Sequence, residues 1–267
     1  MKRLSLIVVL ALCAFTAFAG QPEIKSQWQG AKVAFLGDSI TDANQIGRTN
    51  DVYWNMMKDI LGITPYCYGI NGHRMNQIVG QAKRLEAEHG QDVDAIIVFI
   101  GTNDYNGSIS MGEWYTISAD KTTIGGPTEV VRPHRIMNYD DTFKGRINTV
   151  MKHLKTTYPT KQIIFLTPIH RGYATFGQNN IQPDESYSNA LGLFIDDYVN
   201  AIKEAANIWA VPVIDLNSIS GLYPSLPEFN QYFRNPETDH LHPNTEGHKR
   251  MAYTLSYQLL AYPAKLD

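Results

Sequence analysis

Four short clusters in this 267-residue sequence carry residue types that can cooperate on a polarised bond. They are Gly37-Asp38-Ser39-Ile40-Thr41, Gly69-Ile70-Asn71-Gly72, Gly101-Thr102-Asn103-Asp104 and Asp239-His240-Leu241-His242-Pro243. A serine hydroxyl is a weak nucleophile until a neighbouring base takes its proton. Histidine suits that task because it titrates near neutral pH. A carboxylate behind the imidazole fixes its tautomer and stabilises the imidazolium. Ser39 supplies the hydroxyl, His242 the base and Asp239 the carboxylate. The reaction these three predict is acyl transfer through an acyl-serine, with no metal or organic cofactor.

Each cluster alone has a plainer reading. Gly37-Asp38-Ser39 reads as a turn and helix cap, with Asp38 bonding loop backbone, and Gly101-Thr102-Asn103-Asp104 also reads as a turn. Thr41 occupies the last position of a would-be G-x-S-x-G elbow, so that pattern is missing. There is no G-x-x-x-x-G-K-[ST] phosphate loop. His240 and His242, with Asp239 beside them and His248 beyond, form a rival zinc set, which would make the protein a metal-dependent hydrolase. That reading leaves Ser39 and Asn103 unexplained. His73, His89, His134 and His153 read as surface or helix residues.

The clusters gain force from the elements that must position them. Lys32–Leu36, Pro65–Ile70, Asp94–Ile100, Gln162–Leu166 and Val211–Leu216 are short apolar runs that read as buried strands. Val52–Leu61, Met75–Glu88, Thr142–Thr157, Glu185–Trp209 and Thr245–Ala261 carry helical patterns, several stopped by glycine or proline. Continuous apolar strands alternating with helices predict a parallel sheet of about five strands covered on both faces, a three-layer α/β/α sandwich. Ligands in such sheets bind beyond the carboxyl ends of the strands. Three of the four clusters follow a strand directly. His170 and Arg171 follow the fourth strand, and read either as substrate contacts or as a loop-stabilising pair.

The set, in this order, resembles the SGNH hydrolases, also called the GDSL esterase/lipase family, from about Val33 to the final helix. The resemblance implies a flavodoxin-like fold and a catalytic carboxylate three residues before the histidine, as Asp239 precedes His242 on one short loop. It also implies three oxyanion donors: the backbone N–H of Ser39, the backbone N–H of Gly72 and the side-chain amide of Asn103. Gly69 is the competing glycine. An asparagine amide donates to an oxyanion where an aspartate would repel it. The family's machinery serves carbohydrate O-acetyl esterases, lipases, lysophospholipases and thioesterases alike, and an acyltransferase differs only in the acceptor. A non-catalytic glycan-binding protein on this fold would be expected to lack a triad residue, and none is missing here.

Composition sets the outer bounds. Hydrophobic residues are 43% and charged residues 18%, which excludes a disordered polypeptide. A net charge of −3 argues against a nucleic-acid partner. Residues 1–19 have a basic start at Lys2 and Arg3, an uncharged run to Ala19 and small residues at Ala17 and Ala19, the layout of a secretory signal peptide. The run is too short to span a bilayer. Cleavage after Ala19 predicts a secreted or periplasmic protein of one domain over residues 20–267, with no membrane span. It leaves Cys67 as the single cysteine, read as a buried structural thiol. Residues 105–141 are long for a connection and read as an inserted loop near the site, either a specificity wall with Trp114 on the substrate or a packed hairpin across Thr116–Val131. Export and aromatic loop residues favour a small acyl group on a carbohydrate.

Overall fold

The computed structural model describes residues 26–46 and 51–266, so the expected signal peptide lies outside the described residues. Five parallel strands form the central sheet: β1 (Lys32–Gly37), β2 (Thr64–Cys67), β3 (Ala95–Phe99), β6 (Gln162–Leu166) and β9 (Val213–Ile214). Their order is β2-β1-β3-β6-β9, the doubly wound arrangement expected of a flavodoxin-like fold. The order reverses at β1, so a crevice opens between the ends of β1 and β3. The first three clusters emerge there.

The inner strands β1, β3 and β6 are buried on both faces, whereas the edge strand β2 is only partly buried, and alternate residues of the inner strands divide between two cores. Leu36, Ile96, Val98 and Phe165 pack under α3 (Ile78–His89), α5 (Phe143–Thr157) and α6 (Ile195–Trp209). Val33, Phe35, Ile97 and Leu166 pack under α2 (Tyr53–Leu61) and α8 (Thr245–Leu259). Each helix contributes one apolar stripe, such as Phe143, Ile147, Val150, Met151 and Leu154 on α5. Gly62 ends α2 in the left-handed region (φ 70°), its N–H returning to Lys58 O. Thr142 caps α5 by accepting from Gly145 N–H, and Asn244 caps α8 by accepting from Glu246 and Gly247 N–H. Short α1 (Ala43–Ile46), α4 (Thr102–Asn106) and α7 (Leu216–Ile219) complete the helical set. Among the described residues no helix is long and apolar enough to cross a membrane.

Several expected boundaries move. The long helix starts at Ile195, not Glu185, because the Asp197 carboxylate accepts from Phe194 N–H at 2.8 Å and starts the helix there. The second strand ends at Cys67 and the fifth covers only Val213–Ile214. Met75–Gln77 is a 3-10 turn before α3. Residues 105–141 are mostly no loop: α4 ends in them, and β4 (Tyr115–Thr123) pairs antiparallel with β5 (Glu129–Met137) as an exposed hairpin. A second small sheet was not anticipated. It orders β10 (Phe233–Asn235), β11 (Asp239–Pro243), β7 (Ala174–Thr175) and β8 (Ile181–Gln182), and it puts Asp239 and His242 on a strand, not a loop.

The exit of β1 is very tight. A Cβ built on Gly37 would lie 2.5 Å from Thr41 Oγ1 and 2.6 Å from the Phe99 carbonyl, and one on Gly69 would lie 2.6 Å from Thr41 Cβ. Gln81 clamps Gly37 from the other side, accepting its N–H at 2.8 Å and donating to its carbonyl at 2.7 Å. Asp38 is buried under this turn, where its Oδ1 accepts the Ile40 N–H at 3.0 Å. Burial, with the nearby Asp104 charge, pushes its carboxyl up to about 7. Two outcomes follow. Gly37→Ala should lower stability in urea unfolding by about 1–3 kcal/mol through overpacking, whereas Gly80→Ala on α3, with open space at its Cβ, should raise it by about 0.5–1 kcal/mol. Because the folded pKa of Asp38 is raised, its contribution to stability is full below the unfolded value of 3.8 and is lost as pH rises through about 7. Asp38→Asn keeps an acceptor for Ile40, so its advantage over wild type should grow between pH 4 and pH 8, by on the order of 4 kcal/mol. Parallel stability–pH curves would contradict this.

Candidate active site

The strand ends bring Ser39, Gly72, Asn103 and His242 to the wall of one cleft of about 340 Å³. Ser39 sits in the turn after β1 and His242 on β11. Ser39 Oγ lies 2.9 Å from His242 Nε2. On its other side, His242 Nδ1 lies 2.9 Å from Asp239 Oδ2 and 3.1 Å from Oδ1. This pairing puts the imidazole proton on Nδ1, donated to the carboxylate, and leaves Nε2 to accept from the hydroxyl. Asp239 Oδ1 also accepts the backbone N–H groups of Leu241 (3.2 Å) and His242 (3.0 Å). Burial would raise the Asp239 carboxyl, but the His242 hydrogen bond and charge outweigh it and hold the group below the usual carboxylate value. The carboxylate therefore stays ionised at neutral pH, as an orienting group must.

The three residues expected to supply oxyanion donors, Ser39, Gly72 and Asn103, line the same cleft. Gly72 lines the cleft with φ +77°, a conformation that favours glycine, and a Cβ there would meet open space. Asn103 stands in the first turn of α4, and its Nδ2 donates one hydrogen bond to His73 O at 3.0 Å. That bond uses one of its two amide protons. Beneath it, the buried Asp104 accepts from Met75 N–H (2.8 Å) and from Arg146 (2.9 Å) and ties α4 to the 3-10 turn and to α5. Gly69 faces Thr41, not the cleft.

The rival zinc set is pulled apart. His240 Nε2 points to Pro236 O at 2.7 Å. His248 is buried, stacked on Tyr53, with Nδ1 toward Tyr53 N; burial, with the His242 and Arg234 charges, pushes its pKa down to about 3. Among the described residues no three His, Cys, Asp or Glu side chains are placed to share a metal. Cys67 is half-buried, its thiol 3.2 Å from Thr41 O and pushed up by burial.

The expected substrate contacts are not on the cleft wall. Trp114 is buried in the core beside α5 and α6, its indole N–H donating to Glu204 at 2.7 Å and Lys144 lying over its ring. A large apolar ring gains more from burial there than from exposure at a site. The hairpin it precedes does not reach the cleft either; of residues 105–141 only Asn106 does. His170 pairs with Glu185 at 2.7 Å, which with its charge raises the imidazole's pKa, and it meets Tyr223 edge-on. Arg171 is fully buried behind the cleft; it donates to Thr102 and, at 2.7 Å, to Gln182, and lies over the Tyr105 ring. It positions lining residues and does not line the cleft itself.

The cleft wall contains residues that sequence reasoning passed over. They are Asn71, Arg74, Asn106, Phe176, Asn180, Gln182 and Leu241. Phe176, Asn180 and Gln182 belong to the small hairpin of β7 and β8, and the Phe176 ring meets His242 at 5.3 Å, tilted 62°. Strands of two residues leave no periodic signal. Asn71 and Leu241, each inside a quoted cluster, were the two that could have been found.

Comparison with known proteins agrees with this fold. The family model for the GDSL-like lipase/acylhydrolase family matches residues 35–250. Among curated proteins, none matches significantly. Similar solved structures include a protein from Lactobacillus plantarum (24% identity, TM-score 0.65, covering 88% of this chain and 98% of that one). A possible lipase from Chitinophaga pinensis is similar at 20% identity and TM-score 0.61, covering 85% of this chain and 97% of that one. A lipase/acylhydrolase from Enterococcus faecalis is similar at 17% identity and TM-score 0.54, covering 87% and 98% respectively. With the strand order, the ends of β1 to β3 and the matched span all in agreement, the chain belongs to the GDSL-like lipase/acylhydrolase family of ester-hydrolysing enzymes.

Proposed function

We propose that the protein is a serine esterase that removes short acyl groups, acetyl in the first place, from carbohydrate through an acyl-Ser39 intermediate. The observation that carries this reading is the unbroken chain from Ser39 Oγ through His242 to Asp239, with spacings of 2.9 Å and 2.9 Å. In the proposed reaction His242 Nε2 takes the Ser39 proton as Oγ attacks the ester carbonyl. The backbone N–H groups of Ser39 and Gly72 and the Asn103 amide receive the oxyanion. The tetrahedral adduct collapses as His242 passes the proton to the departing alkoxide. Water then repeats the sequence on the acyl-enzyme and regenerates Ser39.

The cleft lining supports the choice of substrate. Carboxamides from Asn71, Asn106 and Asn180, the last held by Gln182, suit a polyhydroxylated alcohol, because the carboxamide group carries both donors and acceptors. Phe176 and Leu241 are the apolar lining residues, enough for a short acyl group but a poor bed for a long chain. Export from the cytoplasm is part of the proposal and rests on the sequence of residues 1–19.

Ser39→Ala should lower kcat/KM for p-nitrophenyl acetate by about 1,000-fold or more; equal rates for variant and wild type would overturn the assignment. Asp239→Asn can hold the ring only in the wrong tautomer, so kcat should fall by up to about 10⁴-fold, measured as acetate release by a protein that still unfolds cooperatively. A loss of tenfold or less would mean that Asp239 is not the orienting carboxylate.

A further inference from the structure

Arg74 is the one lysine or arginine on the cleft wall, and its charge has no ion-pair partner among the described residues. Asp104, whose carboxylate feels the Arg74 charge, is already filled: Oδ1 takes Arg146 at 2.9 Å and Oδ2 takes the Met75 N–H at 2.8 Å. Arg146 in turn holds Asp141 at 2.8 Å. Asp104 and Asp141 are thus held without Arg74.

The guanidinium is also given a built place. A Cβ on Gly107 would lie 2.4 Å from Arg74 Cζ and 2.4 Å from an Arg74 terminal nitrogen. Gly107 has φ −83° and ψ 5°, a conformation open to any residue. A side chain at 107 would take the space Arg74 now fills, and the flexible end of Arg74 would have to shift. The Arg74 main chain is fixed as well, its N–H donating to Gln77 Oε1 at 2.9 Å. Asn71 and Asn106 line the same cleft as Arg74.

An unpaired, half-buried guanidinium beside Gly107, on a cleft wall that also carries carboxamide residues, is a receptor for a planar anion. Resting on the esterase reading above, we infer that Arg74 selects a substrate whose alcohol part carries a carboxylate: an acylated acidic sugar, with the carboxylate on Arg74 and hydroxyls on the neighbouring carboxamides. A free amino group or long acyl chain has no complementary charge or apolar bed here.

The test compares two isosteric probes, 2,3,4-tri-O-acetylated methyl galacturonoside and its uronamide, which differ in charge and not in shape. Wild type should prefer the carboxylate by about tenfold or more in kcat/KM, the scale of one charge-assisted hydrogen-bonded pair. Arg74→Gln should abolish that preference, chiefly through KM, and Arg74→Lys should recover part of it. Gly107→Ala keeps Arg74 in the chain but displaces its guanidinium, and should lower the preference as well. An equal rate on both probes by wild type, or an unchanged ratio in Arg74→Gln, overturns the inference while leaving the esterase reading intact, provided Ser39→Ala is inactive. Turnover by Ser39→Ala at the wild-type rate overturns the esterase reading itself. No acetate release from either probe by wild type overturns the acidic-sugar assignment.

Discussion

The hydrogen bond of 2.9 Å between Ser39 and His242 joins residues 203 positions apart, and its two ends are held by different means. Ser39 is held by sterics. Gly37 and Gly69 admit Thr41 at distances no Cβ would tolerate, and Gln81 pins Gly37 by both backbone groups. His242 is held by polar contacts. Asp239 accepts from the ring and from two backbone N–H groups of the same strand, so the carboxylate and the imidazole move as one unit. Neither end relies on a flexible surface loop. Reacting groups held this way lose little entropy on reaching the geometry they need.

That rigidity comes with buried charge. Asp38, Asp104, Arg146 and Arg171 all lie beneath or behind the cleft. Buried charges are costly unless paired and hydrogen-bonded. Asp104 has its ion pair, whereas Asp38 has backbone donors and the more distant field of Arg171, and burial raises its pKa to about 7. Arg171 carries the same logic outward. It is too deep to touch a ligand, yet it holds Thr102 beside Asn103 and Gln182 on the opposite wall. One buried cation thus couples the end of β3 to the small hairpin carrying Phe176 and Asn180.

Sequence patterns made the large features legible and hid the small ones. Runs such as Ala95–Phe99 and Gln162–Leu166 are buried on both faces, so their composition announces them. Ser39 and Asn103 could be read because each combines a reactive type with a place just after a strand, and Asp239 and His242 because a carboxylate three residues before a histidine matches the family's pattern. The β7–β8 hairpin could not, since two-residue strands have no period and their pairing with β11 is settled by tertiary contacts. Trp114 misled for a related reason. An aromatic residue in a long polar segment reads equally well as a ligand platform or as the foot of a hairpin, and only its contact with Glu204 and the core decides. The start of α6 shifted because Glu185 is engaged by His170 and Arg171, which fixes it in a turn well before the helix.

The central claim is that one hydroxyl, Ser39, is made nucleophilic by His242. Trapping measures this without reference to substrate. Treatment with a fluorophosphonate, followed by peptide mass spectrometry, should give one stoichiometric adduct on the peptide containing Ser39. His242→Ala should slow its formation by orders of magnitude. An adduct on another residue, or an Ser39 adduct that forms equally fast without His242, would contradict the account.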